Sequence, residues 1–301
     1  MKKLFKTLLI STLTFSLFTA CSSKDVEVTD GGNESNQNPN PNQPPPVVDV
    51  DNTGNNYALI HVRDFGTITI KLYPEYAPIA VSRFSENAKT GFYNGRNFHR
   101  IVEDFMIQGG SYTGTGASDP NAETFKSEPH PEMRHYYGAL CMAASGAGDA
   151  SDSFYIVNSK DTGALENLIP MIPQYENAVA NAQYELDDII KNKEAYEQMY
   201  GAFAVANAVA STENSIKHYS TLIDFVTNAT DEVKAKYAEV GGAAQLDGGY
   251  TVFGYTVDGF DVIDAISAVE KAHNAGGIDS KPSIPLNEII IETIEIKASL
   301  N

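Results

Sequence analysis

The sequence predicts a mainly β protein, a closed antiparallel barrel interrupted by a helical segment. Two runs of alternating apolar and polar residues, Tyr57–Arg63 and Thr67–Tyr73, flank Asp64-Phe65-Gly66 and indicate a hairpin. Further strand-like runs and turn residues follow until a last strand at 288–297, a pattern typical of a sheet that closes on itself. Between them, residues 165–243 are rich in Ala, Glu, Asp and Lys and predict an inserted all-α subdomain.

The first 20 residues predict a targeting signal rather than part of the fold. Three lysines precede a short apolar stretch, and small residues then lead to Cys21. A cysteine at this place resembles the lipobox of bacterial lipoproteins; the alternatives are an ordinary signal with a chance cysteine, or a short membrane span. We therefore expect a lipoprotein signal peptide at 1–20, lipidation of Cys21, and a place in the cell envelope at the outer membrane, facing the periplasm or the surface.

Residues 21–56 predict a disordered linker, because Asn, Pro, Gly and Asp dominate and too little apolar surface is available for folding. Removal of the signal takes away three lysines and no acids, which changes the formal net charge from −18 to −21. So acidic a chain repels nucleic-acid phosphates and anionic lipid headgroups. We therefore expect no nucleic-acid partner, and contact with the membrane through the N-terminal lipid only.

The spacing of hydrophobic residues, and residues typical of helix ends, predict the remaining helices and strands. Thr230 is suited to be an N-cap, and Gly91 to end a helix. The predicted helices lie at 79–89, 176–199, 213–228, 231–240 and 260–269, and the predicted strands at 137–143, 154–158 and 250–256.

The run Phe98–Gly110 places one arginine among strand-forming apolar residues. Buried cations are rarely unpaired, so Arg100 needs a structural or functional reason. Gly109-Gly110 allows the backbone to bend directly after Gln108. The run fits a ligand groove lined by Arg100, Phe105, Met106 and Gln108, and it fits equally a core hairpin with one snorkelling arginine.

Three other motifs do not indicate a site. Gly114 and Gly116 lack the lysine and the strand-to-helix context of a phosphate loop. His130 and His135 flank a proline and lack zinc-motif spacing, so we expect loop histidines and no metal. Cys141 lies in an apolar run and predicts a buried small side chain; apart from Cys21 the chain has no other cysteine.

Six segments along the chain share the pattern of one known family. They are Gly91-Phe-Tyr-Asn-Gly95, Phe98-His-Arg-Ile101, Phe105-Met-Ile-Gln-Gly-Gly110, Gly138-Ala-Leu-Cys-Met-Ala143, Asp152-Ser-Phe-Tyr-Ile156 and Leu246-Asp-Gly-Gly-Tyr-Thr-Val-Phe-Gly254. Together they resemble the cyclophilin family of peptidyl-prolyl isomerases. The resemblance covers 57–163 and 244–301 in order, so we assign 57–164 and 244–301 to a cyclophilin-like barrel and 165–243 to an insertion. It implies an eight-stranded antiparallel barrel capped by two helices, with the site on its outer face.

The resemblance also implies the residues of the site and a reaction without cofactor or metal. Arg100 corresponds to the catalytic arginine, and Gln108 and Phe105 act with it. The other residues implied in substrate binding are Met106, Tyr155, Leu246 and Tyr250 around the proline, the main chain at Ala143 and Ala144, and the positions of Ser153 and Gln245.

The chemistry agrees with these residue types. Rotation about an X-Pro bond meets a barrier of about 18–20 kcal/mol because the amide is conjugated. A permanently charged arginine can favour the twisted amide, while aromatic and Met side chains hold the ring.

The chain departs from the family at three positions. Ser153 replaces a usual glutamine, Ala144 a common asparagine and Gln245 a frequent tryptophan. We expect a peptidyl-prolyl isomerase acting on proline-containing segments of exported proteins, with weak cyclosporin binding. The alternative is a catalytically weak proline-peptide-binding or chaperone module, whose helical insertion binds clients or a second copy.

Overall fold

The computed structural model describes residues 57–117, 119, 122–145, 148–274 and 279–300. The predictions for the signal peptide, Cys21 and the linker therefore lie outside the described residues. The strands are β1 Tyr57–Val62, β2 Gly66–Leu72, β3 Phe98–Val102, β4 Met106–Gly109, β5 Phe125–Lys126, β6 Ala139–Ala144, β7 Asp149–Val157, β8 Val252–Asp258, β9 Lys271–Ala272, β10 Ile284–Pro285 and β11 Ile291–Lys297. The helices are α1 Pro78–Lys89, α2 Ile172–Lys191, α3 Lys193–Tyr200, α4 Ala202–Thr227, α5 Asp231–Val240 and α6 Phe260–Ser267.

One antiparallel sheet dominates the fold, with strand order β11-β1-β2-β8-β6-β7-β4-β3 and with β5 added to β7. The mainly β prediction is confirmed, but the sheet is an open half-barrel rather than a closed barrel. Its two edge strands, β3 and β11, are not paired with each other in this order. Among the described residues, the chain next to these edges, at 95–98 and 289–291, is joined by an isolated bridge between Asn97 and Ile290 and by three backbone hydrogen bonds. This short contact does not extend into a ladder between β3 and β11.

The first hairpin shows how the alternating pattern forms the sheet. In β2, Ile68, Ile70 and Leu72 are almost fully buried, as the period of two requires. Ile68 and Ile70 lie opposite Ile60 and Ala58 of β1. Burial of each such side chain contributes about 1.5–3 kcal/mol, so the predicted hairpin is confirmed and forms part of the core.

The helices on the sheet agree with the predictions, with small shifts at their ends. Helix α1 extends from Pro78 to Lys89, and Gly91 after it has φ +75°, as expected of a C-terminal cap. Helix α5 begins after Thr230, whose Oγ1 accepts a hydrogen bond of 3.3 Å from the Val233 amide. The predicted N-cap is therefore confirmed.

Two helix predictions between β7 and β8 were wrong. The single helix predicted at 176–199 is two helices, because the chain breaks at Asn192. At Asn192 the backbone leaves the helical region, and its side chain and its backbone amide both donate to the Asp188 carbonyl at 3.0 Å, a local contact typical of Asn at helix ends. Helix α4 begins at Ala202 rather than at 213; its first turns are rich in alanine, the residue with the highest helix propensity.

Helices α4 and α5 pack against each other and against the chain that follows β7, through a second apolar cluster. It includes Leu165 and Leu168 after β7, Leu222 and Val226 of α4, and Tyr237 of α5. Among the described residues, no helix has the length and apolar character needed to cross a bilayer. Within the same residues, no three His, Cys, Asp or Glu side chains are grouped as metal ligands.

Candidate active site

A row of side chains crosses the four strands from β6 to the edge strand β3. Arg100 of β3 lies opposite Gln108 of β4, Gln108 opposite Tyr155 of β7, and Tyr155 opposite Cys141 of β6. Directly opposed residues in antiparallel strands have their side chains on the same face. The next residues along, Ile101, Ile107, Ile156 and Leu140, form the adjacent row and are completely buried. The alternation that buries the isoleucines therefore places Arg100 and Gln108 on the other face.

Two glycines directly after Gln108 allow close packing at the end of β4. Gly110 has φ +75°, and an added Cβ there would lie 2.7 Å from the Phe154 ring. An added Cβ at Gly109 would lie 2.8 Å from Phe98. The predicted bend after Gln108 is present, and substitution at either glycine would displace the aromatic core below Arg100.

Within the part of the chain that the structure describes, the side chains of Asp279 and Gln108 orient the Arg100 guanidinium. Its Nε and Nη2 donate to the two carboxylate oxygens of Asp279, at 3.0 and 2.5 Å, and Nη1 donates to Gln108 Oε1 at 3.3 Å. The Arg100 and Asp279 side chains are only 10% and 4% exposed. Such a two-pronged contact leaves the planar guanidinium little rotational freedom.

Sequence reasoning missed Asp279. Burial by itself raises the pKa of this carboxyl, but the hydrogen bonds and charge of Arg100 lower the pKa below its usual range. Asp279 is therefore ionised at neutral pH and compensates the charge of the buried arginine. The chain offers 39 acidic residues, and nothing in the pattern singles out one that lies 179 positions from Arg100. The only signal was the general need of a buried cation for a partner.

The side chains expected around a proline ring share one apolar cluster. Phe105, Met106, Tyr155, Leu246 and Tyr250 all belong to the main core. The Tyr155 and Tyr250 rings meet edge to face with centroids 6.3 Å apart. The Phe105 backbone amide donates to Asn158 Oδ1 at 2.7 Å, which holds the β3–β4 turn in place. The fold thus brings these predicted residues together beside Arg100 and Gln108.

The remaining predicted residues lie at the margin of this group. Ala143 and Ala144 form the end of β6, and Ala144 pairs with Ala150 of β7. The Ser153 hydroxyl is buried and donates to the Gly109 carbonyl at 3.4 Å, so it turns into the sheet. Gln245 is half-buried on a 3₁₀ turn, and no hydrogen bond among the described residues joins it to Arg100 or Tyr250.

A buried polar network lies behind the Tyr155 ring, and sequence reasoning missed it too. The Asp247 carboxylate accepts hydrogen bonds from Arg134 Nη1 (3.2 Å), His135 Nδ1 (2.8 Å) and the Tyr237 hydroxyl (2.9 Å). His135 Nε2 lies 3.0 Å from the Tyr155 hydroxyl. His135 lies in the loop between β5 and β6, as predicted, but it is completely buried and belongs to this network.

The same network joins the helices to the sheet. Tyr237 belongs to α5, and Arg134 Nη1 also donates to the Phe225 carbonyl of α4 at 3.3 Å. The guanidinium of Arg134 lies 4.4 Å from the centre of the Phe225 ring. Cys141 next to Tyr155 is completely buried, as predicted, and burial raises the pKa of its thiol. These contacts link the position of Tyr155 to that of α4 and α5.

Comparison with known proteins identifies the family of the chain. The family model described as "Cyclophilin type peptidyl-prolyl cis-trans isomerase/CLD" matches residues 57–170 and 173–296. A Staphylococcus saprophyticus protein named as a peptidyl-prolyl cis-trans isomerase is 30% identical over 255 residues, which are 83% of this chain and 97% of the relative.

Two further proteins that this chain resembles are also named as peptidyl-prolyl cis-trans isomerases. A Streptococcus pyogenes protein named as a bifunctional phosphatase/peptidyl-prolyl cis-trans isomerase is 32% identical over 83% of this chain, which spans 41% of that longer protein. The crystal structure of a cyclophilin-type isomerase from Cryptosporidium parvum has a TM-score of 0.47 and 20% identity, over 80% of this chain and 96% of its own. On the family match and the staphylococcal relative, this chain belongs to the cyclophilin-type peptidyl-prolyl cis-trans isomerase family and is an isomerase.

Proposed function

We propose that the chain isomerises X-Pro bonds in exported proteins, with Arg100 stabilising the twisted amide. The observation that carries this proposal is the guanidinium held by Asp279 and Gln108 beside a cluster of aromatic and aliphatic side chains. Phe105, Met106 and Tyr155 hold the proline ring, so that the acyl part of the peptide turns while the ring stays in place. No covalent step is involved.

The physical reason lies in the amide. Twisting the X-Pro bond breaks conjugation and localises the nitrogen lone pair, which then accepts a hydrogen bond more strongly than in the planar ground state. A donor already oriented toward that nitrogen stabilises the transition state more than the substrate, and it needs no reorganisation during the reaction. Arg100 suits this role because it stays protonated and Asp279 restricts its rotation.

An isomerase assay on a short X-Pro peptide tests the proposal. Uncatalysed exchange takes roughly tens to hundreds of seconds, so exchange spectroscopy with the protein at a hundredth of the peptide concentration detects catalysis directly. We expect faster exchange in proportion to the amount of protein. Unchanged exchange at every protein concentration would reject the catalytic role.

A second candidate function rests on the helices between β7 and β8, which we propose form an insertion at 165–243. Where α2, α3 and α4 connect, several large apolar side chains face solvent. We call this set the insert tip: Ile190, Met199, Tyr200 and Phe203, which are 58%, 63%, 42% and 81% exposed. Exposed apolar groups of this size often mark a surface that binds other polypeptides. The tip would capture unfolded exported proteins and present their prolines to the sheet.

Replacement of Met199 and Phe203 by serine tests the second candidate. Both side chains are exposed, so the fold should persist while suppression of aggregation of a chemically unfolded test protein falls several-fold. Leu286→Ser is the control, since Leu286 is 58% exposed but follows β10, outside the helices between β7 and β8. Equal suppression by the double variant and the parent protein would rule out the tip as a client-binding surface.

We also propose that the protein is an envelope lipoprotein anchored through Cys21. The support is the sequence pattern of the signal and the polar linker that follows it. The acidic chain should not bind an anionic bilayer by charge, so the acyl group would be the whole anchor. Mass spectrometry of the mature chain should find acyl groups on an N-terminal Cys21; an unmodified Cys21 would disprove the anchor.

A further inference from the structure

Helix α4 packs directly against two loops that border the candidate active site. An added Cβ would lie 2.4 Å from Asn214 at Gly148, 2.7 Å from Thr221 at Gly248 and 1.8 Å from His218 at Gly249. Gly148 precedes β7, and Gly248 and Gly249 precede Tyr250. No larger residue fits at these places, so the helix is tightly held against both loops.

A cavity of about 250 Å³ lies at this junction. It is small for a whole ligand, since ligand pockets usually measure about 300–1,000 Å³, but it suits one amino-acid side chain. The half-barrel contributes Lys126, Ser127, Pro129, Gly148, Gly248 and Gly249, and α4 contributes Ala210, Glu213, Asn214, Lys217 and His218.

His218 connects this cavity to the residues expected around the proline. Its ring centroid lies 6.1 Å from that of Tyr250, which in turn packs against Tyr155. Burial lowers the pKa of His218 to about 4, so its ring is neutral at physiological pH. Because an extended peptide advances about 3.3–3.6 Å per residue, a peptide with its proline at Tyr250 reaches the cavity within two or three residues.

The charges at the cavity indicate what kind of side chain it accepts. Two lysines line it in a chain whose formal net charge is −18. The Lys126 Nζ atom lies 2.8 Å from Asp149 Oδ1, so this lysine already forms an ion pair. Lys217 has no carboxylate within 4 Å among the described residues, although Glu213 lies one turn before it on α4. An ammonium without a counter-ion beside a side-chain-sized cavity favours an anionic group.

We propose that α4 and the half-barrel form a second substrate subsite, which takes an Asp or Glu side chain within three residues of the proline. That the substrate is a proline-containing peptide rests on the proposed isomerase function, whereas the cavity and its charges are independent of that function. Lys217 pairs with the carboxylate. The helices between β7 and β8 would then set sequence preference, while Arg100 and the apolar cluster perform the reaction.

Peptides with a single Glu, Gln or Lys at each position from three before to three after the proline test this inference. At one position we expect kcat/KM to be about two- to fivefold higher for Glu than for Lys, the range of a partly exposed ion pair. Lys217→Glu should reverse that order. Lys234→Glu on α5 makes the same charge change at an exposed residue next to Asp231, and it should leave the preference unchanged.

A binding measurement separates this inference from the isomerase proposal. Calorimetric Kd values for the same peptides can be measured without turnover. A protein that is inactive on every peptide but binds the Glu peptides more tightly would support the subsite and contradict the proposed catalytic function. If neither Kd nor kcat/KM distinguishes Glu from Lys at any position, or if Lys217→Glu and Lys234→Glu behave alike, the subsite proposal is wrong.

Discussion

Replacement of Arg100 by alanine is expected to lower kcat/KM for an X-Pro peptide about 100- to 1,000-fold. That range corresponds to the loss of one preorganised donor, about 2.7–4 kcal/mol of transition-state stabilisation. KM should change little, because the apolar cluster and not Arg100 holds the proline ring. Arg100→Lys should recover only a small part of the rate, since lysine keeps the charge but cannot make the forked contact with Asp279 and Gln108.

Two controls keep this result interpretable. Arg83→Ala removes a peripheral arginine that pairs with exposed Glu123, so it should leave the rate unchanged. Arg100→Ala also leaves the buried Asp279 unpaired, which can destabilise the fold; the double variant Arg100→Ala/Asp279→Ala removes that charge. We expect the double variant to fold at least as stably as Arg100→Ala and to stay inactive. If it regained activity, the catalytic role of Arg100 would be wrong.

The sequence predicted local structure best where a residue type occurs mainly in one kind of environment, such as the core or a turn. Alternation placed Ile68 and Ile70 in the core, and the run from Phe98 to Gly110 predicted both the strand pair and the bend after Gln108. The family resemblance then assigned Arg100 a role that the residues alone left open between a ligand groove and a core hairpin. The structure places Arg100 on the face opposite the isoleucine row, with its charge paired.

Long-range pairing was the part that the sequence could not supply. Asp279 and Arg100 are far apart in the chain, and Asp247 meets Arg134 and His135 across more than 110 positions. A single chain has no pattern that selects such partners, because any carboxylate can pair with any guanidinium. Closure of the barrel likewise depends on pairing between β3 and β11, which are far apart in the chain and whose pairing the alternating pattern does not specify.

Replacement of Asp247 by alanine is expected to lower the free energy of unfolding by about 3–5 kcal/mol, the cost of leaving a buried charge uncompensated. The Arg134 side chain is 4% exposed and has no other carboxylate within 4 Å among the described residues, and His135 and Tyr237 lose their acceptor at the same time. Urea unfolding measures the change, provided that the slope with denaturant stays constant.

The size of that loss also decides whether the network supports the candidate active site. Because Asp247 connects α5 and Arg134 to His135, and His135 connects to Tyr155, its removal should lower kcat/KM even at temperatures where the variant is folded. Glu239→Ala on α5 is the matched control: Glu239 pairs with exposed Lys236, and loss of such a pair costs about 0–1 kcal/mol. If the Asp247→Ala variant is no less stable than Glu239→Ala, the Asp247 carboxylate does not hold α4 and α5 to the half-barrel. The position of Tyr155 would then be determined by the sheet alone.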